Sequence, residues 1–144
     1  MSVMPRIAVL LAATAVAGCS GGDEAASANG GPVTIVMDID STTVRGPFRV
    51  TRGSHELGCS GGTFVTHHLG QDEWSMLQNV LTCTEGERSG SFVMRLEGAL
   101  SRNRWNFQSG TGDFAGVKGK GKFSWRGKPD DLKGVQTLTG KVRF

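Results

Sequence analysis

Between Gly110 and Phe123 the chain reads GTGDFAGVKGKGKF, a glycine density shared with nucleotide-binding loops. Gly110, Gly112 and Ala115 fit G-x-G-x-x-A. Gly116, Gly121 and Lys122 fit G-x-x-x-x-G-K. Such loops hold phosphate because backbone N–H groups approach it closely and a helix N-terminus follows. Here the following residues alternate strictly. Val117, Gly119, Gly121, Phe123 and Trp125 fall on one face; Lys118, Lys120, Lys122, Ser124 and Arg126 fall on the other. That is a strand period, and a strand presents no helix N-terminus to a pyrophosphate. Phe123 also stands where a Walker-type loop needs a Ser or Thr hydroxyl for magnesium. No nucleotide cofactor is expected.

The same alternation gathers Lys118, Lys120, Lys122 and Arg126 into a basic stripe. A stripe of this kind can meet anionic lipid headgroups, lipopolysaccharide or peptidoglycan carboxylates. The simpler reading is a solvated face kept charged for solubility. Nucleic acid is not expected as a partner, because the tryptophans do not interleave with the basic residues.

Other chemistry-bearing residues are sparse. His67 and His68 are neighbours, so on a strand they point to opposite faces and do not readily chelate one metal. No Cys-x-x-Cys or His-x-x-x-His spacing supports zinc, and no metal is expected. There is no G-x-S-x-G elbow. The Gly58–Gly62 run, GCSGG, resembles a nucleophile loop, but Cys59 is better explained by pairing with Cys83. Asp38 and Asp40 share a strand face opposite Ile35, Met37 and Ile39, which makes them surface residues. Asp72-Glu73 and Asp130-Asp131 lie in turn-like sequence. None has the setting of a buried acid with a tuned pKa. No catalytic residue is assigned. Trp74, Trp105 and Trp125 are the candidate pocket residues. They suit a solid core or the lining of a cavity for one small apolar ligand, since eight-stranded barrels take either form.

The N-terminus carries Arg6 and then an apolar run from Ile7 to Ala17, too short to span a bilayer. A charged start, apolar middle and small-residue end make a secretory signal. Its close, Val16-Ala17-Gly18-Cys19, resembles the lipobox of bacterial lipoproteins. The resemblance implies cleavage before Cys19, so that residues 1–18 leave and Cys19 is acylated, palmitate included. More than one acyl chain anchors stably. Ser20 after the cysteine implies the outer membrane, facing the periplasm, in a Gram-negative host, and the cell surface otherwise. Residues 19–32 then form a lipidated, Gly-rich tether; its Ser20–Pro32 part has a reach of roughly 20 Å.

The remainder, 33–144, is one domain. It holds all the Lys and Arg except Arg6, fifteen of sixteen. It holds all the Asp and Glu except Asp23 and Glu24, eleven of thirteen. Export leaves Cys59 and Cys83 as an even pair, which reads as a disulfide; two free thiols, or a metal site with His67 and His68, are the alternatives.

The elements that must position these residues are strands. Ile35, Met37 and Ile39 share a face. Phe48 and Val50 follow what reads as a Gly-Pro break. Phe92, Met94 and Leu96 alternate with Val93, Arg95 and Glu97, and Leu138, Gly140, Val142 and Phe144 alternate with polar residues. No substantial helix is expected after residue 32. Short one-sided strands at regular spacing predict an all-β, single antiparallel barrel of about eight strands. Glycines within the strand pattern, among them Gly116, Gly119 and Gly121, are expected to mark bends of a closed barrel.

Two segments, Gly86–Gly98 and Ser109–Gly121, together resemble a bacterial domain-of-unknown-function family. The shared pattern is Gly90-Ser91-Phe92, then Gly110-Thr111-Gly112, Phe114, Gly116, Gly119 and Gly121. The resemblance implies an allene oxide cyclase-like, calycin-like β-barrel. It implies no catalytic residue. The chain departs from that family in its lipobox, its cysteine pair and its lack of tyrosine. The expected function is a membrane-anchored, non-catalytic binding or interaction module. An isomerase or cyclase working from a pocket is an alternative, for which Glu56 and Glu97 are the carboxylates to examine. A structural envelope protein contacting anionic membrane or cell wall through the basic stripe is another.

Overall fold

A computed structural model describes residues 30–69, 76–98, 103–127 and 133–144. Eight strands follow one another: β1 (Gly31–Asp40), β2 (Arg45–Arg52), β3 (Gly61–His68), β4 (Met76–Glu85), β5 (Gly90–Glu97), β6 (Arg104–Gly110), β7 (Lys118–Arg126) and β8 (Lys133–Arg143). Each pairs antiparallel with the next, and β8 returns to β1, closing the barrel in simple up-and-down order. Among the described residues closure leaves every strand paired on both sides over part of its length, so no whole strand edge is free to recruit another chain. The β1–β8 seam is the longest ladder, running from Gly31 opposite Val142 to Asp40 opposite Lys133. β1 therefore begins two residues before Val33.

The apolar alternation read from the sequence is the inside of this barrel. Val33, Ile35 and Met37 of β1 point inward, as do Phe48 and Val50 of β2, Phe92, Met94 and Leu96 of β5, and Leu138 and Val142 of β8; all are buried. Phe92 is the hub. Its ring meets Phe48 at 6.0 Å, Phe107 at 5.4 Å and Phe114 at 4.9 Å between centroids. The edge-on and tilted arrangements satisfy the ring quadrupoles while filling the space.

Gly46-Pro47 is not a break. Both residues lie inside β2, paired with Phe64 and Thr63 of β3. The ladder between β2 and β1 ends at Phe48 opposite Met37. Pro47 thus sits where β2 is paired on one side only, which is where a strand tolerates a residue without an N–H.

The glycines of β7 also act differently from expectation. The register shifts of the barrel fall at Thr34/Ile35, Gly61/Gly62 and Val93/Met94, not in β7. Gly116, at φ 85°, belongs to the turn before β7. Gly119 of β7 faces inward beneath the Phe107 ring, and Gly140 of β8 beneath the Trp105 ring, while a Cβ on Gly121 would meet the β8 backbone at Thr139 and Gly140. A Cβ on Gly119 would stand 2.8 Å from the Phe107 ring, and one on Gly140 would stand 2.6 Å from the Trp105 ring and 2.8 Å from the Gly121 Cα. These positions are empty so that aromatic rings can occupy them.

One end of the barrel is plugged. A single helical turn, α1 (Ser54–Leu57), fills the β2–β3 connection and buries Leu57 completely. A 3-10 turn, Gly112–Phe114, does the same with Phe114. Cys59 and Cys83 are joined as a disulfide, with Cα atoms 6.0 Å apart, which ties the α1 loop to β4. Over the same end the Arg88 guanidinium lies 3.5 Å from the centre of the Phe144 ring.

Candidate functional site

Around the centre of the barrel the interior is occupied by its own side chains. Trp105 is 2 % exposed, and its indole N–H is shared between the carbonyls of Lys122 and Thr139, each at 3.1 Å. It is a keystone between β6, β7 and β8. Trp125 stands 42 % exposed at the end of β7, its ring against Gly134. Trp74 lies outside the described residues. Trp105 and Trp125 are therefore not brought together over a shared cavity.

Toward the end opposite the plug the inner face turns polar. Asn79, 1 % exposed, accepts a hydrogen bond from the Thr66 hydroxyl at 2.7 Å and donates weakly to the Met37 sulfur at 3.8 Å. Gln136, 4 % exposed, is the second buried polar residue. Both are neutral amides. They can orient a hydrogen-bonding group but cannot exchange a proton at neutral pH.

Carboxylates are all on the outside among the described residues. Glu56 is exposed on α1, and Glu97 is exposed on β5 with Arg95 Nε 3.2 Å from its Oε1. That contact is coulombic, since the Nε–H makes no aligned hydrogen bond. Asp38 pairs with Arg49 at 3.0 Å across the outer face. Beside it, where β2 leaves β1, an open groove of about 530 Å³ is lined by Asp38, Asp40, Arg45, Pro47 and Lys133 among others. Its charges are mixed and solvated, which suits neither acid catalysis nor a single ionic ligand.

Asp40 has a titration of its own. The Thr42 hydroxyl donates to it at 2.5 Å and the Thr42 backbone N–H at 2.9 Å, with Lys133 nearby. These donors hold its carboxyl below the usual range. A depressed folded pKa contributes stability that is complete above the unfolded pKa and lost as pH falls through the folded one. Thr42→Val is expected to raise the Asp40 pKa toward its ordinary value, read by NMR titration of the carboxyl carbon. An unmoved titration would remove Thr42 as the cause.

His67 and His68 are exposed at the end of β3, on outward and inward registers respectively. Among the described residues no group of three or more His, Cys, Asp or Glu is placed to hold a metal. Cys19, Ser20, Asp72, Glu73, Asp130 and Asp131 lie outside the described residues.

The basic stripe is larger than its own strand. Lys118, Lys120, Lys122 and Arg126 all point outward from β7 and are exposed. Pairing sets Arg143 opposite Lys118, Lys141 opposite Lys120, and Arg104 opposite Lys122. The outer wall of β6, β7 and β8 thus carries one basic residue from β6, four from β7 and two from β8, while Lys133 stands at its margin opposite Asp40 of β1. None of the three strands contains an Asp or Glu. Like charges directly opposite one another weaken a sheet. Here three such pairs stand in a row, and among the described residues none of their six members has an ion-pair partner. Sequence reasoning found the β7 row through its period. It missed Arg104, Lys141 and Arg143, whose membership depends on lateral pairing.

Fold and site together define a filled, eight-stranded up-and-down barrel with one plugged end and one basic wall. No protein-family model matches the chain, and no curated protein or solved structure matches it.

Proposed function

We propose that the chain is an exported, lipid-anchored, non-catalytic interaction module of the cell envelope that works through the outside of its barrel. The observation that supports this reading is the interior: Phe64, Phe92, Met94, Leu96, Trp105 and Leu138 fill it, and the described carboxylates all lie outside it. An isomerase pocket needs an acid or base held inside among apolar walls. The carboxylates considered for that role, Glu56 and Glu97, are exposed. The anchor rests on Val16-Ala17-Gly18-Cys19, and the Ser20 that follows points to the periplasmic face of the outer membrane in a Gram-negative host.

Native mass spectrometry of the protein purified from its host tests the reading. The expected mass is that of the processed, acylated polypeptide alone. A stoichiometric co-purifying small molecule would overturn a function confined to the outer surface and return the barrel to the ligand-binding class.

A further inference from the structure

We infer that the β6–β7–β8 wall is a docking face for the anionic lipid headgroups of the membrane to which the chain is tethered. This rests on the anchored-module reading above and names its partner.

The charge pattern is the first support. A wall kept charged only for solubility is best built with both signs interspersed. This one has a single sign over three adjacent strands and accepts three like-charge cross-strand pairs. That arrangement costs stability in the free domain and is relieved by a surface of repeated negative charge. Apart from the half-buried Val135, the outer positions between the basic residues are Asn106, Gln108, Ser124, Thr137 and Thr139. These are neutral hydrogen-bonding side chains that can lie against phosphate oxygens. The aromatic residues of the same strands are on the inward register, so the wall has no platform on which nucleic-acid bases could stack.

The second support is where the tether enters. β1 starts at Gly31, paired with Val142, next to the Lys118–Arg143 pair. Eleven residues, Ser20 to Gly30, separate Cys19 from β1 and can reach no further than about 40 Å. The nine residues of β7 extend about 30 Å. A tether of that length, joined at one end of the wall, keeps the wall close to the bilayer and lets it lie flat. Docking is then an intramolecular event at high effective concentration, so weak individual contacts suffice.

The test is lysine acylation footprinting of the host-processed protein with vesicles. One set is phosphatidylcholine alone; the other includes phosphatidylglycerol. In about 0.1 M salt, Lys118, Lys120, Lys122 and Lys141 are expected to react about fivefold more slowly on the anionic vesicles. That is the fold-change equivalent to about 1 kcal/mol per basic residue near an anionic leaflet. The difference should vanish in about 1 M salt, where the screening length falls to about 3 Å. Lys133, beside Asp40 on the far margin, should react equally on both. In the K120E/K141E chain the labelling of Lys118 and Lys122 should no longer depend on lipid charge. Equal labelling of the four lysines on both vesicle types would overturn the proposal. Protection by purified peptidoglycan but not by anionic vesicles would overturn it too, giving the wall to the cell wall. The intact mass of the same sample reports acylation independently. Loss of the anchor and failure of the docking face are thereby distinguished.

Discussion

Trp105→Ala is expected to lose about 3–5 kcal/mol of folding stability, read as a lower denaturant midpoint in guanidinium. The ring is 2 % exposed and packs edge-on against Phe107, with centroids 5.2 Å apart. Gly140 leaves its place open, since a Cβ there would stand 2.6 Å from the ring. Two strand carbonyls, of Lys122 and Thr139, also lose a shared donor. Against a total of roughly 5–15 kcal/mol for a domain of this kind, that is a large fraction. Trp105→Phe keeps most of the ring and should cost less, mainly the lost N–H. A change below about 1 kcal/mol for the alanine chain would mean that Trp105 borders empty space. The barrel would then be hollow, and the proposed outer-surface function would lose its main support.

Removing the disulfide, as Cys59→Ala with Cys83→Ala, is expected to cost about 3.5 kcal/mol. On the chain-entropy model this is the loop-closure term for a ring of about 25 residues. The two cysteines are 24 apart in sequence, and both sulfurs sit in the plugged end. The bond also holds the α1 loop over the core, so Leu57 should become more mobile. Hydrogen exchange at residues 54–59 would rise before the rest of the barrel opens. The oxidised chain treated with reductant should shift its midpoint by a similar amount. Two free thiols in a non-reducing mass of the native protein would refute the bond. An unchanged midpoint would show that the loop is already closed by packing of Leu57 and Phe114.

These two substitutions probe opposite ends of one design. Trp105 joins the strands of the basic wall to the core, whereas the disulfide secures the plug. Neither removes a charged side chain of the wall; Trp105 meets Lys122 only through its backbone carbonyl. A chain weakened at either position, but still folded, should keep its response to anionic vesicles. Charge reversal on the wall should leave the denaturant midpoint unchanged or slightly higher, because it removes like-charge neighbours.

Much of the barrel was legible in the chain. The alternations at Ile35–Ile39, Phe92–Leu96, Val117–Trp125 and Leu138–Phe144 predicted strands with one apolar face; Ile35, Met37, Phe92, Met94, Leu96, Leu138 and Val142 are buried in β1, β5 and β8, whereas Trp125 and Phe144 stand exposed at the ends. The even cysteine pair predicted the disulfide. Other features were hidden for particular reasons. Gly46-Pro47 read as a break because proline usually ends a ladder. It is tolerated in β2 because the ladder to β1 has already ended there. Ser54–Leu57 is one turn long, too short to show a helical period, and it is held by the burial of Leu57. Gly119 resembled a bend because the ring that needs its space, Phe107, lies on another strand.

The sequence by itself determined the strand period, the inward and outward faces, the cysteine pairing and the strand that follows Gly110–Gly116. All of these are carried by residues whose type and spacing are enough to define them. Tertiary structure alone decided that Trp105 fills the space left by Gly140, and that Arg104, Lys141 and Arg143 join the β7 row. Period is a property of neighbours along a strand. Lateral register and the filling of a closed interior are set by contacts between distant segments, where volume and closure choose the partner.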